Sequence, residues 1–147
     1  AHWLPPAATQ QPALASGELP GAVAYGTARG LADLLVRVES GKVLRAETVR
    51  EMKRSRRPPG ARAPTLLADF DHFAGREWGL GVEVLAGCGA GGGASGWGHT
   101  ATGGSFALLL GGPRPVAVAF LLNRTDGWKQ GISNDVLKAV TEFADGK

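Results

Sequence analysis

Cysteine is almost absent from this chain. Cys88 stands alone, which excludes an intramolecular disulfide framework and a cysteine-ligated zinc site. No apolar run approaches the roughly 18 residues that a membrane-spanning helix needs. The longest runs, Phe106 to Leu110 and Val116 to Leu122, are strand-sized. Charge is sparse and nearly balanced: 16 basic against 13 acidic residues leave a net +3, too mild to indicate a partner unless it is clustered. Apolar residues are not scarce. At 44% hydrophobic and 20% charged, the 147 residues exclude a disordered tail and fit one globular domain. Methionine is nearly missing as well. The sequence opens Ala1-His2-Trp3, and Met52 lies inside a helical pattern, so the expectation is a start other than a translation start. A removed signal peptide and a cut from a longer polypeptide both fit, no apolar leader core decides between them, and the compartment (cytoplasmic, secreted or periplasmic) stays open.

Glycine is what the chain has in excess: 23 of 147 residues, about 16% against a usual ~7%. Residues 1–26, rich in Pro, Ala, Gln and Gly without a period, read as an extended N-terminal segment. From Thr27 the pattern sharpens. Leu31, Leu34, Leu35 and Val38 fall at i, i+3, i+4 and i+7 and form one stripe of a helix, with Thr27 as N-cap and Gly41 just past its end. A second helix is expected at Ala46–Met52, followed by a basic, proline-bearing loop from Lys53 to Gly60. Trp78 to Leu85 alternates like a strand, and Gly87 to Gly93 reads as a connector. Three further strands are expected at Gly96–Ala101, Ser105–Leu110 and Val116–Asn123, the last two joined as a hairpin. Ser133 then caps a helix whose Val136, Leu137, Val140, Phe143 and Ala144 share a face. The order gives an α+β class, an antiparallel sheet of three to four strands flanked by helices. Strands as apolar as 106–110 and 116–122 are buried on both faces in most folds, and this chain looks short of cover for them.

The most distinctive stretch is Trp97-Gly-His-Thr-Ala-Thr-Gly-Gly-Ser105. A histidine and two threonines sit beside glycines that let backbone approach a ligand closely; alone, such a segment is as readily a tight turn whose hydroxyls satisfy local backbone. Its company gives it weight. Tyr25-Gly-Thr-Ala-Arg-Gly-Leu-Ala-Asp-Leu-Leu35, Glu47-Thr-Val-Arg-Glu-Met52, Trp78-Gly-Leu-Gly-Val82, Gly98 to Ser105 and Val118-Ala-Phe-Leu-Leu-Asn123 follow one another in a fixed order. That series resembles the C-terminal part of the serine β-lactamase-like family, which includes class C β-lactamases, related esterases and penicillin-binding-protein-like hydrolases. The resemblance covers residue 20 or so onward and implies that 27–147 is the C-terminal part of such a domain, with an incomplete transpeptidase-like fold.

The resemblance also implies roles. His99-Thr100-Ala101 matches the family's Lys-Thr-Gly or His-Thr-Gly strand, one wall of the active site. His99, Thr100 and Thr102 are therefore the candidate catalytic residues: His99 orients substrate, and the Thr102 backbone N–H serves the oxyanion hole, the largest electrostatic contribution to acyl transfer. Trp97, Ala101 and Gly103 are the candidate substrate-binding residues. Ala101 replaces the family's usual glycine and could narrow the site. For Trp97, core packing and a cleft wall fit equally well. The nucleophile motif Ser-x-x-Lys is not in the sequence: Ser16, Ser40, Ser55, Ser95, Ser105 and Ser133 all lack a lysine three residues on. The family's Tyr-x-Asn or Tyr-x-Ser fails too, because Tyr25 is followed by Gly26 and Thr27. A chain without these motifs is expected to be inactive alone. Its expected partner is the N-terminal part of the same hydrolase or another chain covering its exposed strands, and its substrate a small ester, amide or lactam. The alternative is a non-catalytic binding or assembly module that keeps the scaffold.

Other signals are weaker. Gly87-Cys-Gly-Ala-Gly-Gly92 has dinucleotide-motif spacing but joins two strands and opens no helix, so no cofactor is expected. Lys53-Arg-Ser-Arg-Arg57, with Arg62 beyond, lacks interleaved aromatics and reads as a solvated loop before a nucleic-acid site. Asn123-Arg-Thr125 fits a glycosylation acceptor but continues a strand, so packing is the simpler reading. His2 and His72 have no ligand pattern around them, and no metal site is expected.

Overall fold

The computed structural model describes residues 26–56, 77–85, 96–101, 103–123, 126 and 130–146. Among these residues there are three helices and five strands, in the order α1 (Ala28–Glu39), α2 (Ala46–Met52), β1 (Glu77–Trp78), β2 (Glu83–Leu85), β3 (Gly96–Thr100), β4 (Phe106–Leu110), β5 (Val116–Phe120) and α3 (Ile132–Ala144). The strands form one antiparallel sheet in sequence order. The α+β class therefore holds, with one strand more than the sequence suggested. Trp78–Leu85 is not a single strand but a hairpin. Gly79 N–H bonds to the Val82 carbonyl at 2.9 Å, and Gly81 takes the left-handed φ of +71° that the turn requires.

Local chemistry sets α1 closely. The Thr27 side chain accepts a hydrogen bond from Gly30 N–H at 3.0 Å. At the other end Gly41, at φ +75°, closes a Schellman motif: its N–H reaches the Val38 carbonyl, and Lys42 N–H reaches that of Arg37. Helix α2 spans Ala46–Met52 as the sequence indicates.

The sheet is covered on two faces by different elements. On one, Val38 from α1 and Val49 from α2 pack with Trp97, joined by Leu35, Leu44, Met52, Val82 and Leu109. On the other, Phe106, Leu108 and Leu110 meet Ala144, Val136, Leu137 and Val140 of α3. Strand β4 alternates between the two layers, with its even-numbered residues fully buried against α3. Cover is incomplete at the β5 edge, where every residue from Val116 to Phe120 is only half-buried.

Three details depart from the sequence pattern. Leu34, expected on the buried stripe of α1, is 48% exposed, because the Val38–Leu35 side of the helix faces the sheet. Phe143, expected on the buried face of α3, is exposed, with the Arg114 guanidinium 5.6 Å from its ring centroid. Ser133 is not the cap of α3. That place belongs to Gly131 at φ +78°, and Ser133 lies inside the helix, fully buried, donating its hydroxyl to the Gly104 carbonyl at 2.7 Å.

Candidate functional site

The segment singled out by sequence runs along β3 into the β3–β4 turn, and its residues divide between interior and surface. Trp97 is buried in the α1/α2-side core. Its indole Nε1 donates to Glu39 Oε2 at 2.8 Å, and the same carboxylate accepts from Lys53 Nζ at 2.7 and 3.0 Å. Of the two readings open for this side chain, core packing describes it. It also lines a cavity of about 240 Å³ with Glu39, Lys53, Val84, Gly96, Leu109 and Gly111. A second cavity, of about 310 Å³, lies between α1 and the β4–β5 end. Neither is lined by His99.

His99 is the one exposed side chain of β3. It sits opposite Ala107 in the ladder, and the Trp78 ring lies 6.1 Å away, tilted by 55°. Its neighbour Thr100 points the other way. Thr100 is 3% exposed, and both its backbone N–H and its hydroxyl donate to Glu83 Oε2, at 3.0 and 2.7 Å. Glu83 is itself 1% exposed. Register explains the meeting: Glu83 pairs with Gly98, and Gly98 with Leu108, so all three occupy the α3 face, as does Thr100 opposite Phe106.

Gly98 makes the arrangement possible. Its φ is +153°, and a Cβ there would overlap the Ala107 carbonyl oxygen and come within 2.8 Å of Leu108 Cα. Only glycine lets β3 and β4 approach this closely beside a buried carboxylate.

After Thr100 the chain turns. Ala101 N–H bonds to the Ser105 carbonyl at 2.8 Å, and Gly104 N–H bonds back to the Ala101 carbonyl at 3.1 Å, closing a tight loop over 101–104. Ala101 and Gly103 are half-buried on it. Gly104, at φ +106°, is held from below by Ser133, while Ser105 Oγ accepts from Leu122 N–H at 2.9 Å. The loop is thus tied to the segment after β5 through Leu122 and to α3 through Ser133, while Thr100 just before it is tied to β2 through Glu83. Thr102, Cys88, Tyr25, His2, His72, Arg57, Arg62 and residues 1–25, 87–93 and 124–125 lie outside the described residues.

Sequence reasoning missed Glu83 and Ser133 as part of this region. An acidic residue in a strand-like stretch reads as solvent-facing, and only its pairing with Gly98 across β2–β3 reveals otherwise. The basic stretch carries its own counter-charge: Arg54 and Arg56 both pair with Glu51, Arg54 at 3.1 Å, and Lys53 with Glu39. Among the described residues no three His, Cys, Asp or Glu side chains converge on a point that could hold a metal ion, and no helix is long and apolar enough to cross a membrane.

No curated protein and no solved structure matches the chain. The family model described as Beta-lactamase matches residues 1–142, nearly its whole length. With its α+β layers and its glycine-flanked β3, the chain belongs to the Beta-lactamase family.

Proposed function

We propose that this chain contributes one wall of a serine acyl-transfer site: the end of β3 with His99, and the loop 101–104 that follows it. The nucleophile and its lysine come from polypeptide other than these 147 residues, since no serine here is followed by lysine at the third position. The observation that carries the reading is the isolation of His99, exposed at the end of a strand whose Trp97, Gly98 and Thr100 are buried. An imidazole on a strand pinned from both faces is held where it can hydrogen-bond an acyl substrate or a catalytic hydroxyl. Thr100 N–H points toward the β2 side, since it reaches Glu83. From the match of His99-Thr100-Ala101 to the family's motif, we assign the oxyanion donor to the backbone N–H of Thr102. Thr100, with its hydroxyl committed to Glu83, supports the strand end and leaves substrate contact to His99, Ala101 and Gly103. The substrate class is a compact ester, amide or lactam.

The test is turnover by the purified chain. It is expected to hydrolyse neither a chromogenic lactam nor a p-nitrophenyl ester, and to carry no acyl group by intact-mass measurement. Hydrolysis that survives replacement of each serine by alanine would overturn the assignment.

A second reading has its own support. Ala101 stands where the family has glycine, and β5 presents a half-buried apolar edge, features that suit a binding or assembly module without chemistry. In that case the chain is recovered with a partner or as an oligomer by light scattering. A well-folded monomer counts against this reading.

A further inference from the structure

Strand β2 stops short of its neighbour. Its pairing with β3 runs from Leu85↔Gly96 to Glu83↔Gly98, and then the chain leaves through the Gly79–Val82 turn. Thr100 N–H lies on the same edge of β3, two residues beyond the last pair, where a backbone carbonyl of a longer β2 would have met it. The side-chain carboxylate of Glu83 meets it instead, at 3.0 Å, and takes the Thr100 hydroxyl as well, at 2.7 Å.

A buried carboxylate is a costly way to fill a core position, since an apolar side chain of similar volume carries no desolvation penalty. A carboxylate does one thing that leucine does not: it completes a ladder with a side chain, so that the strand can end. Because the β2 pairing stops at Glu83↔Gly98, no described strand pairs with β3 on this side at Thr100. Because the carboxylate holds Thr100 by two charge-assisted bonds, the end of β3 does not fray. From the opposite end of the same loop, Ser133 holds the Gly104 carbonyl, so the two buried polar side chains bracket 100–104 from β2 and from α3.

We propose that Glu83 is the positioning residue of this strand end: its buried carboxylate caps the β3 backbone where the β2 pairing stops, holding Thr100, and with it the neighbouring His99, in place for an acyl substrate. The inference rests on the acyl-transfer reading for the nature of the ligand, and on geometry alone for the role of Glu83.

The experiment compares amide hydrogen exchange and the imidazole signals of His99 in the full chain and in its Glu83→Gln and Glu83→Ala variants. Leu108 and Leu110 amides serve as internal references for the sheet. In the Glu83→Ala variant the protection of Thr100 is expected to fall about 10- to 100-fold, the loss of a bond to a charged acceptor, with the His99 signals shifted and the references unchanged. Glu83→Gln keeps an acceptor oxygen of the same reach and should restore most of the protection and the His99 signals. Two results overturn the proposal. In one, Thr100 exchanges alike in all three proteins. In the other, Glu83→Gln lowers the protection of Thr100, Leu108 and Leu110 by the same factor, which makes Glu83 a general core element. No ligand is involved, so failure of the acyl-transfer reading leaves this result standing, and a negative result here leaves that reading untouched.

Discussion

Replacing Gly98 by alanine perturbs the candidate site at its tightest point. The backbone there has φ +153°, which an L-residue adopts at a cost of about 1–3 kcal/mol. The new methyl group would also overlap the Ala107 carbonyl oxygen and press on Leu108, whose Cδ2 lies 3.0 Å from the Cβ position. Forcing an extra methyl into a packed position costs about 1–3 kcal/mol more. The sum, about 2–6 kcal/mol, is a large share of the ~5–15 kcal/mol that holds a domain folded. At roughly 3 °C per kcal/mol for a chain of this size, the melting temperature should drop by about 6–18 °C. Gly81 provides the control. It too has positive φ, +71°, but its Cβ position has no atom within 4 Å, so Gly81→Ala carries only the conformational cost of about 1–2 kcal/mol. Thermal unfolding followed by circular dichroism measures both. If Gly98→Ala melts no lower than Gly81→Ala, the close approach of β3 and β4 is not what the geometry says it is.

Other expectations follow the same logic. Thr27→Ala removes the cap of α1 and should cost about 1 kcal/mol by denaturant titration, with α1 losing protection first. Ser133→Ala leaves the buried Gly104 carbonyl without its donor and should cost about 1–3 kcal/mol, with exchange accelerated at Gly104 and Ser105 before the rest of the sheet. Lys53→Ala should cost under about 1 kcal/mol, because both members of the pair, at 32% and 36% exposure, are screened by solvent. Neutralising Arg54 and Arg56 together should leave affinity for single-stranded DNA unchanged and undetectable at low salt, since Glu51 already answers their charge.

What could be read from the sequence was local, and what could not was long-range. Thr27 and Gly41 bracket α1 because capping acts over three or four residues, so a stripe of leucines between a threonine and a glycine is sufficient. The same reasoning misplaced the start of α3. Serine is a good cap, but Ser133 is bound to a carbonyl 29 residues away, and Gly131 begins the helix instead. The single strand expected over 78–85 broke into a hairpin because Gly79 must pass close to the Met52 backbone: Leu80 N–H bonds to the Met52 carbonyl at 3.0 Å, a contact no local pattern encodes. At the candidate site His99 was legible through the resemblance of its segment to the family's motif, since the glycine-flanked stretch alone reads equally as a turn. Its surroundings were not: Trp97 and His99 share one face of β3, and Trp97 is buried because Val38 of α1 and Val49 of α2 pack on it, while Thr100 is buried on the opposite face beside Glu83. Glu83 is the clearest case, a carboxylate whose role exists only once Thr100 is beside it.

The central claim is that the His99 edge meets an acyl compound. Titrating the isotope-labelled chain with benzylpenicillin, and following backbone amide shifts, tests it most directly. Shifts confined to His99, Ala101, Gly103 and the adjoining Trp78 are the expected result. Shifts centred instead on the Glu39–Lys53–Trp97 cavity, or no response at millimolar ligand, would contradict it.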